Sequence, residues 1–491
     1  MAGATLLALL MGGAALAQGI PDRPEKLVFK PLAFEVPRAE AYRANLKNGI
    51  PVYLAADPKG LPFVRLRLLI KGGSYLDPKG KEGLAALTVN QMRDGGTDKI
   101  EADALDEHLD FLAGKVSCEF RQTFGIVEME IMAKDLKEGM DLFMQVLTQP
   151  AFAQQRLDQA KQGSLQELMA RNDDVLDIAR AEMARNLNGE NHYSSTQPTA
   201  ASLQAITRED LVAFHARLLH PSNLVVSVSG SFTREAMLDL LEASLGALKA
   251  GPAAKTSPKV PAPEFTRKPG IYVVDKDVPQ SMVSFAFPGL RRTDADWHAA
   301  VVLNQILGGG GFTSRLMKKL RSDEGLTYGI DTLFDAGPYW KGTWNGSFQS
   351  KNRSVAYALR LAMAEIEHIK AQPVSQEELA VIKDSIILAL PSRWGMKREV
   401  VVTFAIEQLL GWPENWWADY REKIQAITAE DVQRVARKYL DASQLVVLVV
   451  GKAAELEAGD AKDHPGLLKD IAPLPLVRLP LREPLTLKPL S

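Results

Sequence analysis

The chain has 491 residues, 46% of them hydrophobic and 24% charged, with a net charge of −2. That length is long for one core and suits two domains, and the lack of any basic run excludes recognition of a phosphate backbone, so nucleic acid is not an expected partner. The lone cysteine, Cys118, excludes an internal disulfide and any cysteine-built metal site.

Residues 1–17 stand apart. Thr5 to Ala17 is apolar or small throughout, too short to span a bilayer, and ends Ala15-Leu16-Ala17 before Gln18. This is the pattern of a secretory signal peptide cut after Ala17, although no Lys or Arg precedes it, and a buried N-terminal helix is the competing reading. The first reading predicts a periplasmic or secreted protein without stable membrane insertion.

Val64 to Leu68 alternates as a half-buried strand and runs into Lys71-Gly72-Gly73-Ser74. Gly83 to Arg93 is nearly all apolar and predicts a buried helix; Ala104 to Leu112 predicts an amphipathic one ended by Gly114. Val127, Met129 and Ile131 alternate with Glu128 and Glu130 as a strand, and Leu136 to Leu147 predicts a helix ended at Pro150. Ser164 to Leu187 reads as one helix. Thr207 with Asp210 forms a capping signal for the helix before the strand Leu224 to Ser229. The pattern is mixed α/β.

Gln204-Ala205-Ile206-Thr207 recurs as Gln425-Ala426-Ile427-Thr428, Asp210 as Asp431, and Leu224-Val225-Val226 as Leu445-Val446-Val447, always about 221 residues apart. Two homologous α/β domains are expected, 18–248 and 270–455, joined by a Pro/Ala/Lys-rich linker, 249–269. Residues 456–491, rich in Pro and Leu towards the end, read as an extended tail, either wrapping a partner or lying on the surface.

The second repeat holds the stretch with most chemical content: Gly308-Gly309-Gly310-Gly311-Phe312, Ser314-Arg315-Leu316, then Arg321 and Gly325-Leu326-Thr327-Tyr328. Consecutive glycines admit close backbone approach. Ser314 to Asp323 reads as a helix stopped by Gly325, which places Arg321 in its last turn, and a Gly-containing corner brings Tyr328 back towards it. Two readings stay open locally. Arg321 caps the helix while Tyr328 packs, or the two act as donors for peptide carbonyls or a developing oxyanion. No Gly-Lys-Ser/Thr follows the glycines, so a nucleotide site fits worse.

Gly72-Gly73-Ser74, Asp77-Pro78, Glu82-Gly83-Leu84-Ala85 and Gly96-Thr97 resemble the start of the pitrilysin/insulinase family of zinc metallopeptidases, and the resemblance extends over residues 30 to 455. It implies two mixed α/β domains, each an antiparallel-rich sheet packed with helices. The family's helix carries His-x-x-Glu-His, two imidazoles for zinc and a general base. Here those positions are Ala86, Val89 and Asn90, which lack the chemistry, while Glu167 matches the family's third ligand. No replacement is evident: His215 and His220 lie about 140° apart around a helix, and Glu365 with His368 is a spacing common to surface pairs. The second-repeat motif matches residue by residue at Gly309, Gly310, Phe312, Arg321 and Tyr328, which the resemblance makes substrate-binding residues.

The resemblance therefore implies a non-catalytic subunit, without a cofactor of its own, paired as a heterodimer with a zinc-bearing homologue and lending Arg321 and Tyr328 to the partner's site on unfolded peptides. A structural or peptide-binding scaffold is the alternative, and an autonomous peptidase is a third reading disfavoured by the missing ligands.

Overall fold

The computed structural model describes residues 23, 33–263 and 268–490; the leader read from residues 1–17 lies outside them. The first repeat supplies β1 (Arg43–Asn45), β2 (Pro51–Ala56), β3 (Phe63–Lys71), β4 (Lys115–Phe120), β5 (Phe124–Met132) and β6 (Leu224–Gly230). The second supplies β7 (Gly270–Asp275), β8 (Gln280–Pro288), β9 (Ile330–Asp335), β10 (Thr343–Lys351) and β11 (Val446–Gly451), and the C-terminal segment adds β12 (Leu476–Leu479). Two six-stranded sheets result, ordered β1-β2-β6-β3-β5-β4 and β12-β7-β11-β8-β10-β9. The repeat in sequence is thus a repeat in topology. β6 and β11 are parallel to β2 and β7 and antiparallel to β3 and β8. Every residue of β11 is buried, which explains its unbroken apolar run: a strand covered on both faces has no reason to alternate.

Both capping signals form. Thr207 Oγ1 accepts the Asp210 N–H at 3.3 Å while Asp210 accepts the Thr207 N–H at 2.8 Å, and Thr428 with Asp431 repeats the pattern. The stretch read as one helix from Ser164 to Leu187 is two, Gln154–Met169 and Val175–Asn188. Asp174 interrupts it by accepting the Leu176 N–H at 2.8 Å, so a side-chain oxygen caps the second helix and overrides the apolar periodicity that suggested continuity.

That second helix leaves its own repeat. Val175, Ile178, Ala179 and Leu187 belong to a core with Val274, Met282, Val446 and Leu448 of the other sheet. In return, the helix Lys397–Leu410 packs on β2, β3 and β6, with the Tyr53 hydroxyl 3.1 Å from Gln408 and Arg398 2.8 Å from Glu128. Each half lends a helix to the other, so neither sheet completes its cover alone.

The segment read as an extended tail carries order. It begins inside the helix Ala453–Ala458, and β12 then pairs in parallel with β7 and fills the edge position that β1 fills in the first sheet. Beyond β12 the chain crosses to the first half: Ala200 donates its N–H to the Leu485 carbonyl at 2.8 Å, Arg171 donates to the Pro484 carbonyl, and Leu485 packs on the first core. In the linker, Ser257 donates its hydroxyl to the Lys71 carbonyl and its N–H to Asn223, which holds that part against the first half.

Candidate functional site

The Gly-rich stretch begins where the helix Trp297–Asn304 widens into a π-helical turn, Gln305–Gly309. A Cβ on Gly308 would lie 2.5 Å from Thr332 Oγ1, so only glycine lets this turn sit against β9. Asn304 is the buried hub beneath it. Its side chain donates to the Thr332 carbonyl at 3.0 Å and accepts from Thr332 Oγ1 at 2.9 Å and Trp344 Nε1 at 2.7 Å. The sequence reading missed Asn304; the signal was the amide pair Asn304-Gln305 inside the otherwise apolar run Ala299 to Leu307.

The helix expected over Ser314 to Asp323 forms as one α-turn, Arg315–Met317, followed by a wider π-helical one, Lys318–Asp323. Arg315 anchors it through two bonds to Glu378, at 2.8 and 2.6 Å. Gly325, at φ +63°, ends it: the Gly325 N–H reaches the Arg321 carbonyl at 3.1 Å and the Leu326 N–H reaches the Leu320 carbonyl at 2.8 Å. This left-handed reversal folds Thr327 and Tyr328 back over the last turn. Thr327 Oγ1 then donates to the Gly329 carbonyl at 2.8 Å and accepts its N–H at 3.1 Å, closing a tight turn around Tyr328.

A seven-residue separation in sequence therefore becomes a contact. The Arg321 guanidinium carbon lies 4.4 Å from the Tyr328 ring centroid and 4.6 Å from that of Phe312. Both rings are mostly exposed, Tyr328 at 86% and Phe312 at 67%. Among the described residues neither Arg321 nor the Tyr328 hydroxyl makes a hydrogen bond or ion pair, so their polar groups are uncommitted. Of the two local readings, Tyr328 packing into a core does not survive this exposure. Gly309 and Gly310 lie partly buried in the loop behind the rings.

The positions that the resemblance assigns to zinc lie on the helix Leu84–Asp94, whose N-terminus is held by Asp77 accepting the Gly83 and Ala85 N–H groups, each at 2.9 Å. Burial pushes the Asp77 carboxyl up to about 6. Ala86 lines a pocket of about 600 Å³ with Asp77, Glu82, Gln122 and Tyr193. Val89 is 1% exposed within the first core, and Asn90 faces a separate groove beside Cys118. Glu167 is exposed at the end of Gln154–Met169. These residues do not fit zinc: two have no lone pair, the third offers only a neutral amide in another groove, and one carboxylate is no ligand set.

The histidines place no metal either. His215 is buried, its Nε2 2.8 Å from the Leu147 carbonyl oxygen, and burial depresses its basicity. His368 and Glu365 form a surface pair at 4.0 Å. Among the described residues no group of three or more His, Cys, Asp or Glu side chains is arranged to hold a metal.

The Ala86 pocket continues past Gln122, Thr123 and Tyr193 into a cavity of about 560 Å³, and that one past Leu176, Arg180 and Ser347 into a third of about 720 Å³, which reaches Thr327 and Tyr328. A trough of adjoining cavities thus runs from Ala86 to the exposed phenol. Trp340, on the β9–β10 connection, narrows it by packing on His192 and Tyr193 at ring separations of 5.8 and 6.1 Å.

Residues 52–197 match the family described as Insulinase (Peptidase family M16), and residues 205–386 match the Peptidase M16 inactive domain. The chain belongs to the M16 family. Among relatives of this M16 chain, an uncharacterized zinc protease of Streptomyces coelicolor is 24% identical, over 70% of this chain and 76% of its own. The non-peptidase homolog YmxG of Helicobacter pylori is also 24% identical, over 79% and 89%. The solved peptidase M16 inactive domain from Pseudomonas fluorescens superposes with a TM-score of 0.74 at 23% identity, covering 84% of this chain and 97% of that one, which bears out the mixed α/β fold. In this M16 chain Ala86 and Val89 offer no lone pair to a metal, whereas Arg321 and Tyr328 present donors that are uncommitted among the described residues.

Proposed function

We propose that this M16 chain is a non-catalytic, substrate-binding subunit of a heterodimeric zinc metallopeptidase, pairing with a homologue that carries the zinc motif and contributing Arg321 and Tyr328 to that partner's site on unfolded peptides. The observation that carries the reading is a pair of uncommitted donors, held in contact at an exposed site, in a chain whose own zinc positions hold Ala86 and Val89. A guanidinium and a phenol offer N–H and O–H groups to a peptide carbonyl and to the negative charge that develops on it under attack. The trough supports the same reading, since it leads an extended peptide towards Tyr328. Zinc is expected in the partner and no cofactor in this chain. The domain limits 18–248, 249–269, 270–455 and 456–491 stand as part of this proposal, as do Gly309, Gly310 and Phe312 as the loop bordering the substrate. A cleaved leader over residues 1–17 makes the protein periplasmic or secreted; among the described residues no helix is long and apolar enough to cross a membrane.

A scaffold without proteolytic role is the second reading, favoured by the name non-peptidase homolog borne by the Helicobacter pylori relative. Reconstitution separates the two. This chain is mixed with a zinc-motif homologue from the same source and cleavage of an unfolded peptide is measured. The proposed subunit binds the homologue and raises its activity, whereas a homologue equally active with and without this chain contradicts the proposal.

A further inference from the structure

We propose that Phe312 is a positioning residue that acts through Arg321, an inference that rests on the function proposed above for Arg321 and Tyr328. The two rings lie 4.6 and 4.4 Å from the guanidinium carbon and form two walls about one cation. At 67% exposure Phe312 has no core to fill, and a large apolar side chain held in solvent beside a cation is explained by that contact. Its backbone is tied down: Thr313 Oγ1 donates to the Gly310 carbonyl at 2.9 Å, and the Ser314 N–H and hydroxyl reach the Gly311 carbonyl at 3.0 and 2.7 Å. The wall is therefore set by the loop.

Arginine carries a long, mobile stem, and its donors lie in the plane of the guanidinium. One ring in contact limits how that plane turns, and two limit it further. The face of an aromatic ring holds a cation without consuming an N–H, so the arrangement orients Arg321 and leaves its donors available. An acidic neighbour would orient the cation too, but would occupy the donors that the substrate needs. The Gly-rich loop thereby acquires a second task, carrying the wall that aims Arg321.

The test uses Phe312→Leu, Phe312→Tyr, Arg321→Ala and the double variant Phe312→Leu/Arg321→Ala, in the complex reconstituted with the zinc-motif homologue and with an unfolded peptide as substrate. Phe312→Leu is expected to lower kcat about ten- to a hundredfold with little change in KM, the scale set by misplacing a catalytic donor. Phe312→Tyr restores the rate, and the double variant is no slower than Arg321→Ala alone, since the two act as one unit. Additive losses would place Phe312 on the substrate itself and overturn the inference. If Arg321→Ala is impaired and Phe312→Leu is not, the inference fails while the proposed function stands; if Arg321→Ala cleaves as wild type the inference fails, and if Tyr328→Phe does so too the proposed function fails with it. A readout without the partner is the Arg321 side-chain proton resonances in the isolated chain with labelled arginine. Ring currents from both walls shift them, and Phe312→Leu moves them back part of the way; resonances unaffected by Phe312→Leu contradict the stack.

Discussion

Arg482, beyond the last strand of the second sheet, donates to Glu182 at 2.9 Å, and Glu182 sits on the helix that the first repeat lends to the second. The same guanidinium reaches Glu190 at 2.6 Å, and Arg185 donates to the same Glu182 Oε1 at 2.6 Å. The C-terminal segment therefore fastens the lent helix, and that helix lines the trough through Leu176 and Arg180.

This makes the C-terminal segment part of the fold's stability. Arg482→Ala leaves the Glu182 carboxylate, only 7% exposed, with a single partner, and a loss of about 1–3 kcal/mol is expected, below the full cost of stripping a buried charge because Arg185 remains. Removing residues 475–491 deletes β12 as well and is expected to cost more. Urea midpoints of the two variants check this; a truncated chain as stable as the full one would show that the segment merely rests on the surface.

The second prediction concerns metal. The purified chain is expected to hold no stoichiometric zinc and to cleave no unfolded peptide alone. Val89→Glu is expected to destabilise it by about 2–4 kcal/mol, because the new carboxyl would be buried among Leu, Val and Met side chains. Metal analysis finding about one tightly held zinc per chain would contradict the reading of the site.

The third follows from His298, whose ring stacks on Trp416 at 5.4 Å with no hydrogen-bond partner for its buried Nε2. Burial first, then the nearby Lys423 and Arg292 cations, hold its pKa down to about 4, against the Asp419 carboxylate. An unfolded chain protonates histidine below about 6.5, so the unfolded state takes up the proton first and stability falls as pH drops from there to about 4. Discounted for partial exposure, the loss is on the order of 1–2 kcal/mol. His298→Phe keeps an aromatic ring against Trp416 and should flatten this part of the pH profile; an unchanged profile between pH 6.5 and 4 would assign the sensitivity elsewhere.

Export supplies the fourth. N-terminal sequencing of the native protein should find Gln18 first, in a periplasmic or secreted fraction, and a native chain still starting at Met1 would reject the leader.

Much of the fold was legible in residues. The 221-residue echo became two sheets that share the order of five strands, and the Thr207/Asp210 and Thr428/Asp431 signals became capping boxes. The contact of Arg321 with Tyr328 was readable because Gly325 marks a reversal, and a reversal after a helical turn returns the chain over that turn. The exchanged helices were not legible. Periodicity gives Val175–Asn188 an apolar face but cannot say which sheet the face meets, since that choice is made by contacts far apart in sequence. β12 was hidden for a related reason: an edge strand with exposed side chains has no burial pattern to display. The π-helical turn Gln305–Gly309 adjoins the Asn304 hub, whose partners Thr332 and Trp344 lie in other elements.

The central claim is that Arg321 and Tyr328 act on a substrate held at another subunit's metal. Tyr328→Phe tests it most directly, because it deletes one hydroxyl, keeps the ring beside Arg321, and touches a side chain too exposed to matter for folding. In the reconstituted complex, kcat/KM for an unfolded peptide should fall about two to three decades, mainly in kcat if the hydroxyl acts on the transition state, while the assembly and stability of the complex stay as in wild type. A complex in which Tyr328→Phe and Arg321→Ala both cleave at the wild-type rate would contradict the account.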